Sequence, residues 1–179
     1  MRAEKKLKQR KFGPVLLLKI LAIALLVAFL ITKFLVSSTR VEGSSMMETL
    51  HSGDRLLVFK PGSDVDSLER GDIIVFRPPG ESRFYIKRVI GLPNEYVQID
   101  NGSVFINGKR LEEDYVNSAY TYTGDKTEWY IGQGQVFVLG DNRKEGASKD
   151  SRVFGPINGN TIEGHAGFRY YPFRSIGPI

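Results

Sequence analysis

Hydroxyls and amines are the reactive groups this chain has to offer. Its 179 residues include no cysteine and only two histidines, His51 and His165, so thiol nucleophiles and Cys-based metal sites are excluded. A Ser-His-Asp arrangement would have to use one of those two histidines, and a zinc site would need carboxylate ligands at a spacing that does not occur. The run "GDNRKEGASKDS" lacks the Gly-Lys-Ser/Thr ending of a phosphate-binding loop. There remain Ser44 and Ser45 in "VEGSSMMETLHSGD" (residues 41–54) and Lys87 in "FYIKRVIGL". A serine needs a base to take its proton. A lysine can be that base if burial lowers its pKa from about 10.4 towards 7–8.

Alternation along "FYIKRVIGL" puts Lys87 on one face with Tyr85 and Val89, and Arg88 on the other with Ile86 and Ile90. Both faces have apolar flanks, so periodicity does not say which cation points inward. Only the lysine can give up its proton; an arginine stays charged. The competing reading is a lysine guarding the edge of a sheet against unwanted pairing.

The elements that must carry these groups read as strands. From Asp54 onward, short β-rich runs alternate with turn chemistry: "RLLVFK" before Pro61-Gly62, "GDIIVFRPPG", "FYIKRVIGLPNE", "GQVFVLGDN" and "IEGHAGFRYYP". Asn101-Gly102 and Asn107-Gly108 are hairpin turns between alternating apolar residues. A mainly β domain is predicted, an antiparallel sandwich or barrel-like fold. The stretch 112–134 is polar and poorly patterned, and is expected to be a mobile insertion.

The remaining segment is of another kind. Val15–Val36 is a 22-residue apolar run with Lys19, Thr32 and Lys33 as polar breaks, long enough as a helix to cross a hydrocarbon core about 30 Å thick. Residues 1–36 carry eight of the 25 Lys/Arg and one of the 20 Asp/Glu, leaving 17 basic and 19 acidic residues for 37–179. The net charge of +5 therefore belongs to the N-terminal segment, and nucleic-acid binding by the β-rich part loses its electrostatic basis. The predicted organisation is a basic cytoplasmic tail (1–13), one transmembrane anchor (14–36) and an extracytoplasmic domain (37–179). The orientation follows from six Lys/Arg before the run against Arg40 soon after it. A cleaved signal peptide with its apolar core at Ile20–Thr32 and "VSS" as cleavage site is the alternative; Lys33, Leu35 and Val36 argue against it.

With those segments in order, the chain resembles the bacterial type I signal peptidases, membrane-anchored Ser/Lys endopeptidases that remove signal peptides from exported proteins. Three blocks carry the resemblance. "GSSMMETL" is similar to the family's nucleophile block, "RGDIIVF" with "YIKRVIGLP" to its general-base block, and "GDNRKEGASKDSRVFGP" to its Gly-Asp-Asn-Arg block. With the anchor and "GFRYYPF" the similarity spans roughly 14–174. The resemblance implies Ser45 as nucleophile and Lys87 as general base, Ser148 as a hydrogen-bond partner of that lysine, and Asp150 with Arg152 as a supporting pair. It implies a pocket for small substrate side chains lined by Met46, Leu50, Tyr85 and Ile86, hence cleavage after Ala-x-Ala-like sequences. The partners it implies are exported preproteins and membrane lipid; it implies no cofactor, and a monomer suffices.

This sequence departs from the family pattern at three places. Glu48 replaces the usual proline, Gly43 stands where some members carry an oxyanion-binding hydroxyl, and "KEGA" is two residues longer than common before Ser148. Two other functions are compatible with parts of the pattern: a LexA-like self-cleaving Ser/Lys protease, which would lack the anchor, and a catalytically silent membrane-tethered interaction domain.

Overall fold

The computed structural model describes residues 13–60, 64–116 and 118–179. The basic tail expected over 1–13, all but its last residue, and the Pro61-Gly62 turn lie outside the described residues. The chain divides at residues 35 and 36 into two compact units.

The first unit contains α1 (Pro14–Phe34), a helix of 21 residues. Pro14 opens it, where its fixed φ suits the first turn and its missing N–H costs nothing. At about 1.5 Å per residue it is long enough to span a bilayer core, and its apolar composition is that of a membrane-crossing helix. Its one hydroxyl is satisfied within the helix: Thr32 Oγ1 donates to Ala28 O at 3.0 Å. The apolar run continues to Val36, but Val36 already belongs to the next strand.

The second unit is mainly β, and the strand pairs among its described residues are antiparallel, as predicted. Its strands are β1 (Val36–Arg40), β2 (Arg55–Phe59), β3 (Ile73–Phe76), β4 (Tyr85–Gly91), β5 (Tyr96–Asp100), β6 (Ser103–Ile106), β7 (Lys109–Arg110), β8 (Glu128–Tyr130), β9 (Gln135–Leu139), β10 (Ile157–Asn158), β11 (Ile162–Tyr171) and β12 (Gly177–Pro178), with a one-turn helix α2 (Ser151–Phe154) after β9. The large sheet runs β1-β2-β11-β3-β4-β9-β10, with β12 added to β11; the small sheet runs β7-β6-β5-β8.

Both Asn-Gly pairs form the turns expected of them. Asn101 and Gly102 have φ of 44° and 76°, and Asn107 and Gly108 of 50° and 79°. Positive φ at both central residues matches the right-handed twist of the flanking strands and fixes the register Asp100↔Ser103 and Ile106↔Lys109.

The central strands are buried on both faces, which is why "IIVF" reads as continuous rather than alternating. Ile73 and Val75 join a core with Val41, Met46, Leu50, Leu56, Val58 and Ala166. Ile74 and Phe76 join the opposite core with Val65, Val89, Val136, Val138 and Ile157. The small sheet packs Val97, Ile99, Val104, Ile106 and Trp129 against Ile90, Phe137 and Leu139.

The stretch 112–134 is not the free insertion that its polarity suggested. It contains β8, the buried Trp129 and Ile131, and a buried Thr121. Its polar residues pair with buried arginines, and hydropathy has no sign for that.

Candidate active site

Strand β4 brings both adjacent cations inward. Lys87 is 3% exposed and Arg88 9%. Periodicity separated their faces correctly: Tyr85 and Val89 pack in one core and Ile86 in another. What it could not foresee is that both faces are covered. Arg88 is neutralised there. Its Nε donates to Asp141 Oδ1 at 2.9 Å and its NH2 to Asp141 Oδ2 at 2.6 Å, the two-pronged geometry a guanidinium offers a carboxylate. Lys87 has no carboxylate within salt-bridge distance among the described residues. Its Nζ lies 2.7 Å from Ser45 Oγ and 2.8 Å from Ile86 O. Burial penalises the ammonium and outweighs the attraction of Asp150 and Asp141, so the pKa falls from 10.5 to about 8, with Arg152 pushing the same way.

Ser45 sits in the loop between β1 and β2, and backbone and side-chain bonds hold that loop. Met47 N donates to Ser44 O, and Leu50 N to Met46 O. Asn142 clamps it from the segment after β9: its backbone N–H donates to Ser45 O at 3.0 Å and its Nδ2 to Ser44 O at 3.1 Å. Thr49 Oγ1 donates to Asp141 Oδ2 at 2.5 Å. These bonds do the fixing that a proline at the Glu48 position would assist. The Ser45 N–H donates to no protein group among the described residues.

Gly140 lies under the loop, and a Cβ there would collide with Ser45 O and Ser148 Oγ. Its N–H donates to Asp150 Oδ2 at 3.0 Å. Asp150 is fully buried and caps α2. Burial alone would raise its pKa. The fork from Arg152 (Nε to Oδ1 2.8 Å, NH2 to Oδ2 2.7 Å), the Ser148 hydroxyl and the Gly140 N–H together hold it below the usual carboxylate range.

Ser148 requires a correction. Its Oγ donates to Asp150 Oδ2 at 2.6 Å; it is not bonded to Lys87, whose partners are Ser45 and Ile86. The ionised carboxylate is the stronger acceptor, and it stands two residues away.

A cleft of about 430 Å³ opens over this pair, lined by residues 39–46, 83–87, Ala147 and Lys149. Met46, Tyr85 and Ile86 line it. Leu50 does not: it is fully buried in the core that also holds Met46. Lys149 Nζ donates to Glu81 Oε1 at 2.5 Å, tying the segment that carries Ser148 to the loop entering β4. Neither histidine lines the cleft; His165 lies 3.5 Å from Asp72, and His51 donates its backbone N–H to Asp54.

Sequence reasoning missed the polar frame behind the cleft: Thr49, Arg88, Asp141, Arg143 and Glu113. Arg143 is fully buried, with Nε on Gly140 O at 2.7 Å and NH1 on Thr121 Oγ1 and Glu113 Oε2, both at 3.0 Å. The first four residues lie in the blocks quoted above. Glu113 has no signal in the sequence.

Comparisons with known proteins identify the family. The family model described as "Signal peptidase, peptidase S26" matches residues 15–171. A signal peptidase I from Bacillus amyloliquefaciens is 39% identical over 167 residues, 88% of this chain and 86% of that protein. A signal peptidase IB from Staphylococcus aureus (strain COL) is 34% identical over 171 residues, 86% of this chain and 87% of that protein. A crystal structure of a signal peptidase I from Enterococcus faecalis V583 is similar at 37% identity and TM-score 0.47, covering 55% of this chain and 95% of that one. The match over nearly the whole length, anchor and β domain together, establishes that the chain belongs to the signal peptidases of peptidase family S26.

Proposed function

We propose that this chain is a membrane-anchored serine endopeptidase that removes signal peptides from exported preproteins, with Ser45 as nucleophile and Lys87 as general base. The observation that carries the reading is the 2.7 Å approach of Lys87 Nζ to Ser45 Oγ, made by a buried amine with no carboxylate in salt-bridge reach among the described residues. An unpaired buried lysine is costly as structure, and useful as a base.

The chemistry follows from that geometry. Neutral Lys87 accepts the Ser45 hydroxyl proton as Oγ attacks the scissile carbonyl. The oxyanion that forms takes a hydrogen bond from the Ser45 backbone N–H. The Lys87 ammonium returns the proton to the departing amine, leaving an ester on Ser45. Lys87 then takes a proton from water, hydroxide adds to the ester, and the acid product leaves as Ser45 regains its proton. Asp150 and Arg152 hold the Gly140 backbone beneath the serine. Met46, Tyr85 and Ile86 shape a shallow cleft, which suits small side chains at the first and third positions before the cut. Helix α1 anchors the domain in lipid, with the N-terminus cytoplasmic and residues 37–179 outside, and a monomer carries every group the reaction uses.

The test is incubation of the detergent-purified chain with a preprotein, followed by mass spectrometry of the products. A single cut after an Ala-x-Ala-like sequence is expected, absent in Ser45→Ala. Efficient cutting after Phe or Lys refutes the specificity, and cutting by Ser45→Ala refutes the nucleophile.

A further inference from the structure

Glu113 stands outside the reacting groups, yet contacts lead from it to both. Its carboxylate accepts two bonds from Arg143, NH1 to Oε2 at 3.0 Å and NH2 to Oε1 at 2.5 Å. It also accepts the Tyr115 hydroxyl proton on Oε1 at 2.8 Å. Resting on the Ser45–Lys87 reading above, we propose that Glu113 is a positioning residue for that pair, acting through Arg143 on the serine and through Tyr115 on the strand that carries the lysine.

The serine side begins at Arg143. It is fully buried, so its guanidinium needs a counter-charge in place. Glu113 is the carboxylate paired with it. With its charge met, Arg143 Nε holds Gly140 O at 2.7 Å. Gly140 and Asn142 meet the serine loop at Ser44 and Ser45: Asn142 bonds Ser44 O and Ser45 O, and Gly140 packs so close to Ser45 O that a Cβ there would collide with it. A shift of the 140–142 backbone therefore passes directly to Ser45.

The lysine side runs through Tyr115. Its ring lies 4.0 Å from the Arg88 guanidinium, a cation–π contact in a desolvated setting. Burial first, and then the Glu113 charge, raise the hydroxyl's pKa, so it remains a donor to that carboxylate. Arg88 neighbours Lys87 on β4 and grips Asp141. Glu113 thus references Arg88 on β4 and Arg143 in the segment after β9 to one carboxylate. A merely structural role would need only charge neutralisation of Arg143; the second bond, from Tyr115, is what links the lysine side to it.

The experiment uses the full chain in detergent micelles and an internally quenched Ala-x-Ala peptide, with kcat, KM, pH profile and thermal melting measured for Glu113→Gln, Glu113→Asp, Tyr115→Phe and Ser45→Ala. Misplacing reacting atoms by an ångström costs up to about 100-fold, so Glu113→Gln is expected to lower kcat about 10- to 100-fold. KM should stay within about twofold, because the cleft walls are untouched. The acid limb of kcat should move to higher pH as water reaches Lys87, whose charged neighbours Asp150, Asp141 and Arg152 remain. Glu113→Asp should recover part of kcat, and Tyr115→Phe should show a smaller loss in the same direction. A folded Glu113→Gln with wild-type kcat and an unmoved limb overturns the proposal, as does a variant that merely melts earlier. If Glu113→Gln does not fold, wild-type kcat and limb in Tyr115→Phe overturn it equally. Activity in Ser45→Ala would mean that the nucleophile reading had failed, whereas an inactive Ser45→Ala beside a normal Glu113→Gln defeats this inference alone.

Discussion

If Lys87 is the base proposed above, its burial sets catalysis against stability, and the opposition can be measured. With a pKa of about 8, roughly one Lys87 in ten is neutral at pH 7. With the ordinary lysine value it would be roughly one in three thousand. The net shift, in which burial outweighs the pull of Asp150 and Asp141, thus gives a factor of about 300 in the population of neutral amine at neutral pH. The rate should rise about tenfold per pH unit below pH 8 and level off above it. The same burial costs stability. Below pH 8 the folded protein must hold a proton on an amine it has desolvated, and that cost is about 3 kcal/mol, at about 1.4 kcal/mol per pH unit. Between pH 8 and 10.5 the unfolded chain binds a proton that the folded chain does not, so stability should rise with pH across that window; above 10.5 the cost is gone. Lys87→Met should therefore be inactive and, at pH 7, more stable by up to about 3 kcal/mol. Lys87→Arg should be inactive while keeping the charge. The assays are a pH–rate profile on a quenched Ala-x-Ala peptide and denaturant melts of the same samples at pH 7 and 9.5. A rate flat from pH 6 to 9 would falsify the assignment of Lys87 as base, and so would an active Lys87→Arg enzyme.

Three further outcomes are expected. Ser45→Ala should abolish processing, whereas Ser44→Ala should retain most of it, because Ser44 contributes its carbonyl to Asn142 and its side chain is exposed; the reverse pattern in a cleavage assay would move the nucleophile by one residue. Leu50→Ala should destabilise the fold by about 2–5 kcal/mol through a core cavity and leave peptide KM nearly unchanged, since Leu50 is buried outside the cleft; a raised KM with normal melting would return it to the substrate pocket. Protease added to intact spheroplasts should digest the β domain and spare the N-terminal tail, as the charge asymmetry around α1 demands; recovery of a soluble protein starting near Thr39 would mean that the apolar run is removed.

The fold was legible wherever the determinant was local. Asn-Gly pairs force positive φ, and both turns formed where the sequence has them. An apolar run of membrane length needs no tertiary partner to be a helix, and α1 follows it to within two residues. Alternation along β4 separated the faces of Lys87 and Arg88. The reading of 112–134 as a loose insertion failed because its order comes from Glu113, Tyr115 and Thr121 meeting Arg143 and Arg88 across the fold, and a buried ion pair looks hydrophilic in any window of sequence.

The site divides along the same line. Residue types alone narrowed the reactive groups to hydroxyls and amines, since the chain has no cysteine and only two histidines. Motif order then pointed to Ser45 and Lys87. Only the tertiary structure decided that Lys87 is buried with no carboxylate partner among the described residues while its neighbour Arg88 has one, that Ser148 serves Asp150 rather than the lysine, and that Leu50 lies behind the cleft wall. A lysine's pKa, a hydroxyl's choice of acceptor and a side chain's access to substrate depend on atoms brought within a few ångströms from distant parts of the chain, and sequence spacing does not encode those distances.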